Sequence, residues 1–162
     1  MVVVLFGVAG SGKTTVGRLL SLELGWRFYD ADDFHTISNV EKMKKGIPLS
    51  DEDRRPWLER LRELIKTCLT QRIDAVLACS ALKKSYRQYI QIDKEEVKFV
   101  FLKGEFSLIQ ERLKKRYGHF MNPSLLQNQF ETLEEPKEEA VVVDVALSPI
   151  VIVQEIRSSL GI

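Results

Sequence analysis

Apolar runs alternate along this chain with segments in which apolar positions recur every three or four residues. Val2–Phe6 is a β-branched run with no polar alternation, the pattern of a strand covered on both faces. From Thr14, the recurrence of Val16, Leu19, Leu20 and Leu24 predicts a helix that stops at Gly25. Trp26–Tyr29 reads as a second strand, followed by a polar stretch over Asp30–Glu52 with Asn39, Gly46 and Pro48. A long helix then places Trp57, Leu61, Leu64, Ile65 and Cys68 on one face, with Pro56 expected in its first turn. Ala75–Cys79 predicts a third strand, and a helix bearing Lys83, Lys84 and Arg87 follows. Val97–Leu102 predicts a fourth strand and Phe106–Arg116 a helix, interrupted at Gly118–Pro123. Leu125–Leu133 is a short helix, Ala140–Val145 a fifth strand, and Ser148 with Pro149 opens a last helix. Strands alternating with helices predict an α/β fold with a parallel sheet.

One segment carries explicit chemistry. Gly7-Val8-Ala9-Gly10-Ser11-Gly12-Lys13-Thr14 satisfies G-x-x-x-x-G-K-[ST] between a buried strand and an amphipathic helix. Glycines let successive N–H groups turn toward one anion, and the new helix adds its unpaired N–H groups and dipole. Lys13 is expected to reach the β- and γ-phosphates, and the Thr14 hydroxyl to ligate Mg²⁺. The loop alone does not name a reaction. The base-reading Asn-Lys-x-Asp of GTPases does not occur. An oligomeric motor would usually be longer, so a small kinase of metabolites or nucleotides fits best.

Asp30-Ala31-Asp32-Asp33 follows the second strand, and ligands in such folds bind beyond the carboxyl ends of strands. Asp30 and Asp32 alternate like strand residues. We expect Asp32 to orient or deprotonate an acceptor hydroxyl and Asp30 to support the metal through water. Arg54 and Arg55, and Lys83, Lys84 and Arg87, are basic groups that suit an anionic acceptor. Either cluster taken alone is also what a solvated face looks like. Arg112 and Arg116, one helical turn apart before Gly118-His119-Phe120, suit a lid that closes positive charge onto a phosphoryl group.

Composition narrows the partners. The chain has 162 residues, about the length of one domain. Hydrophobic residues are 44% and charged residues 29%, ordinary for a globular protein. Lys and Arg number 24 against 23 Asp and Glu, so the net charge of +1 argues against nucleic acid or a membrane surface as partner. Small anions are not excluded. Cys68 and Cys79 form no disulfide or metal pattern and are expected as buried thiols. The apolar start lacks a basic leader region, and no run approaches the ~20 residues of a membrane span. A cytoplasmic protein is expected.

The chain resembles the gluconokinases, small P-loop kinases related to nucleoside monophosphate kinases. The resemblance rests on Gly7–Thr15, Phe28–His35, Asn39 with Lys42-Met43, Gly46–Leu49 through Trp57-Leu58, Cys79–Lys83 with Tyr86-Arg87, Gly118–Met121, and Gln129–Glu134 with Pro136. It implies a three-layer fold with a five-stranded parallel sheet, a substrate-binding helical segment over roughly 33–72 and a lid over roughly 116–135. It implies ATP- and Mg²⁺-dependent phosphorylation of D-gluconate at its 6-hydroxyl, feeding the pentose phosphate route, by a homodimer. By the same resemblance ATP meets Gly7, Val8, Ala9, Gly10, Ser11, Gly12, Lys13, Thr14 and Thr15. Arg112 would pack near adenine and Arg116 would meet the phosphates. Asp32, His35, Arg55, Lys83, Arg87, His119 and Gln129 are the implied acceptor contacts. A shikimate kinase would share the loop and the acidic pair, but not the Asp-Arg-x-Pro-Trp or Gly-His-Phe stretches. A nucleotide-binding regulator without turnover would be expected to lack part of the set Lys13, Thr14, Asp30 and Asp32.

Overall fold

In the computed structural model, which describes residues 1–117 and 123–162, β1 (Val2–Phe6) runs through the middle of one parallel sheet. The other strands are β2 (Arg27–Asp30), β3 (Ala75–Cys79), β4 (Val97–Lys103) and β5 (Val141–Asp144), in the order β2-β3-β1-β4-β5. Val2 pairs with Ala75 on one side and Val97 on the other, and the register holds to Phe6 opposite Cys79 and Phe101. Every residue of β1 and β3 is buried, which is why both read as uninterrupted apolar runs.

Side chains of β1 alternate between two cores. Val2, Val4 and Phe6 pack with α3 (Asp51–Thr70) and α4 (Lys84–Ile90), through Trp57, Leu61, Ile65 and Tyr86. Val3 and Leu5 pack with α1 (Lys13–Leu24), α5 (Phe106–Tyr117) and α7 (Pro149–Leu160), through Val16, Leu20, Ile109 and Ile152. The expected helix over 125–133 is α6, Pro123–Thr132. Ser148 caps α7 with Pro149 at its start, as its sequence predicts. Among the described residues, no helix is long and apolar enough to cross a membrane.

Three expectations are corrected. The polar stretch contains a 3-10 turn, Ala31–Phe34, and a helix, α2 (Ile37–Lys44), capped by the Thr36 hydroxyl. Asp32 therefore lies in the turn and not in β2. Pro56 lies inside α3, because the helix starts five residues earlier at a capping box in which Ser50 and Asp53 exchange side chain-to-backbone bonds. An interior proline costs a helix ~3 kcal/mol. Burial of Trp57, Leu58, Leu61 and Ile65, at ~1.5–3 kcal/mol each, outweighs that cost.

Candidate active site

The carboxyl ends of β1, β2 and β3 open into a cleft of about 440 Å³. A larger groove of about 660 Å³ lies along α1 and β2, lined by Arg18, Leu22, Trp26 and Phe28, but neither the glycines nor Lys13 border it. The smaller cleft carries the chemistry.

Its floor is the loop between β1 and α1. Gly10 (φ 77°) and Gly12 (φ 97°) take left-handed backbone angles. A Cβ at Gly10 would come within 2.7 Å of Leu113, so both shape and conformation require glycine there. Gly12 is the N-cap of α1 and supplies no side chain to its free N–H groups. Those donors and the helix dipole suit phosphate. Lys13 Nζ donates to the carbonyls of Gly7 (3.0 Å) and Val8 (2.9 Å). Burial pushes its pKa down, with Asp32 opposing the shift. Ser11 Oγ is buried and has no hydrogen-bond partner among the described residues.

Thr14 Oγ1 donates to Asp30 Oδ2 at 3.3 Å. The other oxygen of Asp30 accepts from the Asp32 N–H (3.0 Å), which fixes the 3-10 turn. Trp57 Nε1 holds the same turn from below, donating to the Ala31 carbonyl at 2.7 Å. Asp32 stands at the open cleft with its pKa raised. Loss of hydration is the main cause, Asp30 adds to it, and Lys13 opposes. A hydroxyl beside a carboxylate is a hard-oxygen pair that fits Mg²⁺, an ion that takes one or two protein ligands plus substrate phosphates. No group of three or more His, Cys, Asp or Glu that could hold a metal occurs among the described residues.

His35 stacks on Trp57 (ring centroids 4.5 Å apart, planes at 10°), and its Nδ1 lies 3.4 Å from the Asn39 amide nitrogen. Burial, then the nearby Arg54 guanidinium, lowers its pKa to about 4. Native His35 thus stays neutral where the unfolded residue, near 6.5, has taken a proton. Protonation favours the unfolded chain in that window, so stability should fall as pH drops from about 6.5 toward 4. Urea midpoints across that range should show a shallower slope for His35→Gln; equal slopes would contradict this account.

The remaining expected residues divide. Gln129 lines the cleft, and its Oε1 accepts the Ala9 N–H at 2.7 Å, which turns its amide donors away from the loop. Arg116 lines the cleft and, with Arg112 and Thr15, a second recess of about 200 Å³ bordered by Leu147, Pro149 and Ile152. Arg55 is exposed on α3, outside the cleft wall; its neighbour Arg54 lines the cleft instead. Lys83, also outside that wall, pairs with Asp51 at 2.8 Å. Arg87 is buried, with its guanidinium carbon 4.5 Å from the Phe6 ring centre, and donates to the carbonyls of Ala81, Leu82 and Glu134. This geometry makes it a clamp between loops. His119 lies outside the described residues.

The sequence offers Arg54 only as half of a basic pair with Arg55, and Asn39 and Tyr86 only within the family resemblance, with no role for either. Helical phase separates the pair: Arg54 precedes the buried Trp57, Leu58 and Leu61 by three, four and seven residues, whereas Arg55, although three before Leu58, meets the exposed Glu59 at four and Arg62 at seven. Asn39 is 2% exposed, and its amide donates to the Asp53 carbonyl at 2.7 Å, so a polar residue sits where the helical pattern demands an apolar one.

Comparison with known proteins places this geometry. A shikimate kinase family profile matches residues 9–158. A probable gluconokinase of Xenopus tropicalis is 44% identical, over 97% of this chain and 92% of that protein. A gluconokinase structure from Sinorhizobium meliloti 1021 superposes with a TM-score of 0.89 at 43% identity, over 98% of this chain and 90% of the other. The shikimate kinase of Aquifex aeolicus superposes with a TM-score of 0.60 at 21% identity, covering 99% of this chain and 96% of the other, a likeness of fold alone.

Proposed function

This chain belongs to the gluconokinase family of P-loop kinases, and from that premise we propose that it transfers the γ-phosphoryl group of ATP to the 6-hydroxyl of D-gluconate. The observation that carries this reading is the convergence of Lys13, Asp32 and Arg54 on one cleft. The three types match what the reaction needs: a cation for the phosphates, a carboxylate for the hydroxyl, and a guanidinium for the substrate's carboxylate.

In this reading the Gly7–Thr15 segment holds the phosphates through its N–H groups. Lys13 leaves the two carbonyls it now contacts and meets the charge that grows on the transferring group. Thr14 and Asp30 would hold Mg²⁺, which supplies charge neutralisation across the phosphate oxygens. Asp32 orients the acceptor hydroxyl and takes its proton, a role that its raised pKa suits. Gln129, with its oxygen committed to Ala9, presents only N–H donors, and neutral His35 serves hydroxyls. The recess beside Arg112 takes adenine, and Arg116, which borders both spaces, meets the phosphates. Residues 33–72 act as the substrate-binding segment and 116–135 as a lid. The enzyme works in the cytoplasm as a homodimer. Support for the first is that Cys68 and Cys79 are buried and unpaired; support for the second is the family resemblance.

Two measurements bear on this. Phosphorus NMR of a reaction with Mg²⁺, ATP and gluconate should show a phosphate ester on the primary hydroxyl carbon in step with ADP; ADP with free phosphate alone would refute the assignment. Arg54→Met should raise the KM for gluconate on the order of 10- to 100-fold, the value of hydrogen bonds to a charged group. The KM for ATP should hold, and an unchanged gluconate KM would remove Arg54 from the site.

A further inference from the structure

Arg54 reaches the cleft on a support that the phosphoryl transfer does not itself use. Its Nη1 donates twice, to the Leu49 carbonyl at 2.7 Å and to the Tyr86 hydroxyl at 3.2 Å. The Tyr86 hydroxyl in turn donates to Asp51 Oδ1, and the same oxygen accepts from Lys83 Nζ at 2.8 Å. Each polarity is dictated by chemistry. Lysine and arginine only donate, an ionised carboxylate only accepts, and the single phenolic proton goes to the carboxylate. Bonds from Lys83 and then Tyr86 hold Asp51 below the usual carboxylate range, so it remains the acceptor. The Tyr86 oxygen therefore turns a lone pair toward Arg54. The guanidinium carbon also lies 5.6 Å from the Tyr86 ring centre, within cation–π range.

With Nη1 committed, Nη2 and Nε of Arg54 have no partner among the described residues. They form one edge of a planar fork, the arrangement that binds a carboxylate bidentately. The support also joins two segments: Asp51 and Arg54 stand at the start of α3, and Lys83 and Tyr86 at the start of α4. We propose that Tyr86, braced by Asp51 and Lys83, is a positioning residue that aims Arg54 at the carboxylate of the sugar acid. This rests on the gluconate reading above.

The test is steady-state kinetics of the full chain with gluconate and MgATP varied separately. Tyr86→Phe keeps the buried ring and removes the one oxygen. It should raise the KM for gluconate on the order of tenfold, with kcat within about twofold and the KM for ATP unchanged. Asp51→Ala, at an exposed position, should move the same parameter in the same direction and covers the case in which Tyr86→Phe does not fold. In an Arg54→Met background, Tyr86→Phe should add nothing, because both changes act on one contact. An unchanged gluconate KM in folded Tyr86→Phe overturns the proposal. So does an equal rise in both KM values, or additivity with Arg54→Met. No gluconate turnover in the wild-type protein would instead refute the functional reading, so the two failures are separable.

Discussion

Lys13→Ala is expected to lower kcat by about 10²–10³-fold, the scale of removing one donor aimed at transition-state charge. The protein should stay folded. In the structure the Lys13 ammonium bonds two loop carbonyls, at 3.0 and 2.9 Å, and caps no helix. Burial already disfavours its charge, so its removal relieves a desolvation penalty as well as losing two bonds. Glycine geometry, not lysine, shapes the loop, and phosphate would still meet its N–H groups. Turnover should therefore fall far more than ATP affinity. Single-turnover rates with nucleotide binding measured in parallel would show this. Near-wild-type kcat would contradict the assigned role, and so would an equal loss in affinity and rate.

Asp32→Asn should reduce kcat by about 10²–10⁴-fold, the range for a positioned general acid or base. Asparagine keeps the size and one acceptor oxygen but takes no proton. The pH dependence adds an independent reading. Desolvation and Asp30 raise the Asp32 pKa, so the acid limb of kcat/KM should lie above the ordinary carboxylate value near 3.8. Activity should rise with pH through that limb, because the ionised form is the competent one, and the limb should vanish in Asp32→Asn. Full turnover in the variant, or an unmoved limb, would contradict the assignment.

Much of the fold was legible because period and burial agree. β1 and β3, covered on both faces, show no alternation, and α7 carries its cap and proline in the chain itself. Illegible parts are those where polar residues do core work. α2 buries Asn39 against the Asp53 carbonyl, so its apolar pattern is weak. α3 runs through Pro56 because its Ser50–Asp53 box sets the start; bonds from Lys42 and the Ser50 backbone hold Asp53 near pKa about 2. In the site, the cleft positions of Lys13, Asp30 and Asp32 follow from the loop motif and the acidic segment after β2, whereas choosing Arg54 over Arg55 as the cleft-lining member of the basic pair takes helical phase. Arg87 misled for a general reason: charged residues are rarely buried, so a basic residue near a strand end reads as a ligand for an anion. Here three carbonyls take its guanidinium.

The central claim is that this cleft couples ATP to a sugar acid through an acceptor carboxylate. ADP release followed by a coupled assay, with Mg²⁺ and ATP fixed and gluconate, shikimate and uncharged glucose each varied, tests it most directly. The account predicts saturable turnover with gluconate, at a kcat/KM well above that for shikimate or glucose. No gluconate-dependent ADP release, or a preference for shikimate or glucose, would contradict it.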